Sequence, residues 1–175
     1  IEGRGRLHAQ GPAAGPLRAE LWLVYRAHTL DWPDEIVPQL LARVERWRRH
    51  GNQVRGIQID FDVGTRHLAR YAGFLEQLRQ RLPADCGLSI TGLLDWGSNG
   101  DPLVLNRMGE TLDEVVVQTY QGRHSIPDQQ RYLPRVAQLR LPFRIGLVQG
   151  GQWQAPKELE SSPWFRGYVV FLLNP

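Results

Sequence analysis

The chain has 175 residues, 42% hydrophobic and 22% charged; that length suits one domain with a sizeable core, and that balance is ordinary for a globular protein. No run of about 18 apolar residues occurs, which excludes a membrane-spanning helix, and no signal peptide is visible. The formal charge is +3 and the pI about 9.4, carried almost wholly by arginine because Lys157 is the only lysine; so uniform a bias reads as compositional, and with no recognised motif beside it, it argues against a nucleic-acid partner.

Residues 1–20 are rich in Gly, Pro and Ala and read as an N-terminal loop or remnant strand. Ile1-Glu2-Gly3-Arg4 equals a common protease tag and stands either as a scar or as native chain. Residues 21–175 read as one barrel-like domain. Leu21–Tyr25 is a short apolar run, hence a buried strand. A helix follows over 34–50, with Ile36, Val37, Leu40, Leu41, Val44 and Trp47 on one face, and Gly51 after its end. The dense basic run Arg46-Trp47-Arg48-Arg49-His50 lies where cations favour the helix dipole.

A strand is predicted over 54–61. A helix over 66–82 has Thr65 as its N-cap and stops at Pro83. Leu88–Leu93 is a strand. Asp101-Pro102 reads as N-cap and first residue of a short helix to about Met108. Val115–Tyr120 is a strand, and Ser125 is placed as the cap of a helix to about Leu139 that Pro134 kinks or delays. Phe143–Val148 and Gly167–Leu173 complete six strands, mostly separated by helices.

That alternation argues for a parallel sheet of βαβ units. No glycine fingerprint for a dinucleotide follows a strand, and no phosphate-binding loop is present. A complete eight-unit barrel usually needs about 250 residues. The expectation is therefore an α/β fold, a (β/α) TIM-barrel-like domain of about six units, incomplete at its N-terminus, with an open sheet as the alternative. Cys86 is the sole cysteine, so an internal disulfide and a cysteine metal cage are excluded, and no cofactor is implied.

The stretch Arg55-Gly56-Ile57-Gln58-Ile59-Asp60-Phe61-Asp62 carries the chemistry. Side chains alternate along a strand, so Ile57, Ile59 and Phe61 share one face while Gln58, Asp60 and Asp62 share the other. In a barrel the polar set points inward and climbs toward the C-terminal mouth, where barrel active sites lie. Ser89 and Thr91 lead likewise toward Asp95, and Gln118 leads to Tyr120. Buried polar groups are unfavourable unless bonded, so three inward polar faces point to a site.

Two close carboxylates repel when both are charged, which favours a proton on one of them. A proton-bearing carboxyl near neutral pH is what glycosidic cleavage requires. Asp62 is then the donor, Asp60 its partner, and Tyr120 a hydrogen-bonding stabiliser. The alternative is that Asp62 only caps the next turn.

Gly56–Asp62 resembles the fourth-strand motif of family-18 glycoside hydrolases, in which a glycine-led strand carries aspartates and ends in a glutamate acid. Gln118-Thr119-Tyr120-Gln121 resembles their methionine-x-tyrosine-aspartate motif. A closer resemblance is to a bacterial barrel family, domain of unknown function 3142, carried by Gly56–Asp62, Leu88–Trp96 and Asp113–Tyr120. That family is grouped with glycoside-hydrolase barrels. The alignment implies that the strand at 21–26 is the third of the barrel.

The departures are specific. The first and second family-18 aspartates fall on Arg55 and Gln58 while the third matches Asp60, the acid glutamate falls on Asp62, and the aspartate after tyrosine falls on Gln121. Only Asp60, Asp62 and Tyr120 transfer. The resemblance implies carbohydrate as the ligand, and an exported or periplasmic location is the favoured expectation.

Other residues carry paired readings. Trp96 and Trp153 follow strands and either stack on sugar rings or act as packing lids, whereas Trp22 and Trp47 read as core. Asp95 is a site carboxylate or a turn residue. Arg26 holds an anionic group or pairs with Asp60 or Asp62. Gln58 and Gln118 are expected to bind substrate. Three functions remain: a glycoside hydrolase, a non-catalytic glycan-binding barrel, or a metal-dependent hydrolase using His28 and His124 with the aspartates.

Overall fold

Strand β1 (Glu20–Arg26) is the first element of a computed structural model that describes residues 1, 7 and 15–172. Most of the predicted 1–20 loop, including the tag-like residues 2–4, lies outside the described residues. Ile1 is buried, and its carbonyl accepts from the His28 backbone N–H at 2.9 Å, just beyond β1.

In chain order follow α1 (Ile36–Arg49), β2 (Gln53–Asp60), α2 (Leu68–Arg81), β3 (Gly87–Leu93), α3 (Trp96–Asn99), α4 (Pro102–Thr111) and β4 (Glu114–Gln118). Then come the two-residue strands β5 (Tyr120–Gln121) and β6 (His124–Ser125), α5 (Leu133–Val136), β7 (Phe143–Val148), α6 (Lys157–Glu160) and β8 (Phe165–Phe171).

Six strands form one sheet in the order β1-β2-β3-β4-β7-β8, and every neighbouring pair is parallel. Spatial order follows chain order throughout. With right-handed crossovers, such winding puts the connecting helices on one face and curls the sheet around the other. The fold is α/β, a curled parallel half-barrel of six strands, which is an incomplete TIM-like barrel.

The register aligns the alternation across strands: Leu23 beside Ile57 beside Leu88, and Tyr25 beside Ile59 beside Ile90. Ile90 pairs with Val115, and Val117 with Ile145. Ile57, Ile59, Leu88, Ile90 and Ile145 have no accessible surface, and against them pack the buried Ile36, Leu40 and Val44 of α1 and Leu68, Tyr71 and Leu75 of α2. Each such large apolar side chain contributes about 1.5–3 kcal/mol. This is the dry face. The opposite, concave face carries Gln58, Asp60, Ser89, Thr91 and Gln118.

Two glycines let β2 and β3 close at the base of the concave face. A Cβ on Gly56 would lie 2.1 Å from the Gly87 carbonyl oxygen, and one on Gly87 would lie 2.8 Å from the Trp22 indole. Trp22 is thus half-buried on the concave face.

Four predicted elements differ. The cap at Asp101 is real, its carboxylate accepting from Leu103 N at 2.9 Å, but the helix runs on to Thr111. Thr65 caps no helix; it opens a 3-10 turn over Thr65–His67, and α2 begins at Leu68 without a side-chain cap. The expected helix from Ser125 to Leu139 does not form. Gly122, at φ +58°, turns the chain back so that Tyr120 pairs with Ser125. Only Leu133–Val136 is α-helical, with Pro134 in its first turn, where a missing N–H is harmless. The strand expected through Tyr120 accordingly ends at Gln118.

Gly56→Ala is expected to destabilise the protein by about 3 kcal/mol or more, because backbone faces the added methyl and cannot yield as a side chain would. Asp101→Ala is expected to cost about 1 kcal/mol through the lost cap. Denaturant unfolding of both variants checks the order of the two effects.

Candidate active site

The C-terminal ends of β1, β2, β3 and β4 meet at one rim, because all four run parallel. There they surround an open cleft of ≈ 670 Å³ lined by Arg26, Asp60, Asp62, Asp95, Gln118 and Tyr120, with Gln121 and Tyr132 among the others. A volume of this size is typical of small-ligand sites.

Asp60 is the last residue of β2 and lies beside Arg26 in the register. Its Oδ2 accepts from Arg26 Nη1 at 3.0 Å, and its Oδ1 accepts from Thr91 Oγ1 at 2.8 Å. With its side chain 20% exposed, Asp60 is held on both oxygens. Asp62 lies one residue beyond the strand's flanking Phe61, in coil, and pairs with Arg26 Nη2. Its side chain is 54% exposed and that of Arg26 44%. One guanidinium therefore bridges both acids, and its own pKa is raised, first by the hydrogen bond to Asp62 and then by Asp60 despite partial burial. Of the two readings of Arg26, the structure shows the pairing with the acids, and it lies inside the cleft.

Phe61 points the other way, its ring 5.4 Å from that of Tyr71. Between two acids that face the cleft, this apolar residue anchors the strand end in the dry core. Tyr71 lies in α2. It is fully buried, its hydroxyl has no hydrogen-bond partner among the described residues, and burial, then the charge of Asp60, drives its pKa upward.

Tyr120 leaves the sheet with β5 and stands over the cleft, its ring 5.2 Å from Phe171 of β8. Its hydroxyl accepts from Gln118 Nε2 at 3.3 Å, which leaves its proton free to donate. Burial pushes the Tyr120 phenol up to about 12; the charges of Asp60 and Asp62 add to the rise, while Gln118 and Arg26 oppose it. At neutral pH this group is a hydrogen-bond donor, never a phenolate.

Asp95 lines the cleft and its carbonyl accepts from Ser98 and Asn99 at the start of α3, so it is both a rim carboxylate and a turn residue. The cleft thus sets three carboxylates against one guanidinium among its lining residues, a balance that disfavours anionic ligands.

Three expected site residues lie elsewhere. Gln58 is buried below the rim and donates to Ser89 Oγ at 2.8 Å; it braces β2 against β3. Trp96 is a core residue, 3% exposed, whose Nε1 donates to the Val63 carbonyl at 3.1 Å. The strand ending at Leu93 is followed at once by α3, which turns this ring inward against Tyr71. Trp153 packs edge-on against Tyr168 at 5.6 Å, outside the acid cleft.

Thr91 was legible as an inward polar residue, but its bond to Asp60 depends on register. Tyr132 gave no signal, because it falls inside the helix that does not form. Among the described residues no three His, Cys, Asp or Glu side chains gather as a metal site, and neither His28 nor His124 lines the cleft. Among the described residues no helix is long and apolar enough to cross a membrane.

The model of a family described as Domain of unknown function (DUF3142) matches residues 26–140, a span that contains every rim residue named above. No curated protein matches the chain. Among solved structures, the crystal structure of the Bacillus cereus spore cortex-lytic enzyme SleL is similar at 22% identity, covering 66% of this chain and 29% of that one, with a TM-score of 0.48. The chain thus spans under a third of that structure's length.

The Tyr120 phenol is expected to stay protonated at pH 10. Phenolate absorbance at that pH should be the same for the wild type and for Tyr120→Phe. An excess of half a phenolate in the wild type would mean an ordinary tyrosine there.

Proposed function

This chain belongs to the DUF3142 family, and from the chemistry of its rim we propose a glycoside hydrolase-like domain acting on a neutral polysaccharide or oligosaccharide. Asp62 is the general acid, Asp60 its partner carboxylate and Tyr120 the stabilising donor. The observation that carries this reading is the pair of carboxylates held on one arginine in an open cleft at the C-terminal rim.

The two acids are held unequally, and that difference assigns their roles. Asp60 is bonded on both oxygens and partly buried, which keeps it in place. Asp62 is half exposed and pairs with Arg26. A glycan entering the cleft competes for the exposed guanidinium. Once Arg26 turns to substrate hydroxyls, Asp62, the more exposed of the pair, is released to serve the glycosidic oxygen as its acid. Tyr120, held by Gln118, donates to charge that develops beside the breaking bond.

The same clamp supports a second reading. An arginine engaged with both acids suits a non-catalytic glycan-binding barrel, in which the carboxylates accept hydrogen bonds from sugar hydroxyls and cleave nothing. The two readings part on product formation.

Asp62→Asn is expected to lower hydrolysis by at least ~100-fold, as loss of a general acid does, while leaving glycan binding within a few-fold of wild type. Tyr120→Phe should slow turnover by about tenfold, the loss of one transition-state hydrogen bond. Release of reducing ends from a polysaccharide panel measures both. Undiminished turnover in Asp62→Asn removes the acid from Asp62. Binding without product in the wild type selects the binding barrel.

A further inference from the structure

Beside the acid cleft runs a groove of ≈ 540 Å³, between the segment 125–131 and the loop 152–154. Ile126 lines both spaces, so the two adjoin at that side chain. We propose that this groove is a second glycan subsite, which holds the part of a polysaccharide that extends beyond the acid cleft. The proposal rests on the reading of that cleft as a neutral-glycan site.

The groove is built, and its walls are tied together. Gln129 Nε2 donates to the Gln152 carbonyl at 3.2 Å, and Ser125 Oγ donates to the same oxygen at 3.4 Å. Gln130 Nε2 donates to the Gln154 carbonyl at 3.0 Å. Gly151 permits this approach, since a Cβ there would lie 2.7 Å from Ser125 Oγ. A groove braced in this way loses little freedom on binding.

Two buried polar atoms of its lining residues are unspent. Gln129 is 8% exposed, and with its Nε2 committed its Oε1 has no partner among the described residues. Trp153 Nε1 is buried and likewise has none. Buried polar groups are ordinarily satisfied, so an acceptor and a donor left over in one groove point to a ligand that both gives and takes hydrogen bonds. A sugar hydroxyl does both. Asp128 and Arg131, which also line the groove, offset each other in charge and leave no preference for an ion.

The test uses the isotopically labelled chain and two probes of unequal length: dimers and hexamers of β-1,4-linked glucose and of β-1,4-linked N-acetylglucosamine. Hexamers of at least one series should shift the Trp153 indole and the Gln129 side-chain amide resonances as well as resonances around the acid cleft; dimers should shift only the latter. Trp153→Phe keeps a ring against Tyr168 and removes the donor. It should weaken hexamer binding about fivefold, leave dimer binding unchanged, and leave the melting temperature unchanged. If hexamers bind no tighter than dimers and leave the Trp153 indole unmoved, the subsite is overturned while the acid cleft stands. If neither probe shifts any resonance, the glycan reading of the cleft falls with it.

Discussion

Parallel pairing of the strands in strict chain order is the constraint on which the rest of this structure depends. With right-handed crossovers it places the helices on one face and turns the other face into a concavity. It also brings the C-terminal ends of β1, β2, β3 and β4 to one rim. A doubly wound sheet would divide these ends at a switch point, and Arg26, Asp60, Thr91 and Gln118 would not face one cleft. Alternation along each strand then divides its residues: Ile57 and Ile59 go to the dry face, Gln58 and Asp60 to the concave one.

At that rim a single cation organises the charge. Arg26 stands beside Asp60 by register and reaches Asp62 beyond the strand end. Two carboxylates alone would repel; with the guanidinium between them they form a compact, partly exposed cluster. Screening by solvent keeps such a cluster weak as a source of stability, and its value is in position. The end of β2 matters equally. Phe61 turns into the core against Tyr71, so the acids on either side of it are held at the mouth by an apolar contact.

Much of this was legible in the sequence. The six strands, the helices over 36–49 and 68–81, and the cap at Asp101 followed from apolar periodicity and local capping chemistry. The acids, Gln118, Tyr120, Asp95 and Arg26 were legible because strand alternation and parallel direction together place strand-end polar residues at one mouth. The region 120–139 was not. Its helical spacing is real at Leu133 and Val136, both buried, but Gly122 and two prolines let the chain form a hairpin and a 3-10 turn. With that helix went any view of Tyr132 in the cleft and of Gln129 in the groove. Trp96 misled for a related reason: position after a strand places an indole near the rim but leaves its direction open. The short helix α3 turns Trp96 inward, and Tyr168 holds Trp153 to one side.

The sequence by itself determined which residues alternate, which segments bury an apolar face, and that acidic and amide side chains end the strands together. Those properties are local, set by periods of two and 3.6 residues and by the conformational limits of Pro and Gly. Only the tertiary structure decided that one arginine bridges both acids, that Thr91 holds Asp60, that Gln58 is a brace and not a ligand contact, and that a second groove opens past Ile126. Each of these depends on register between strands and on loop conformation, where contacts distant in the chain outweigh local preference.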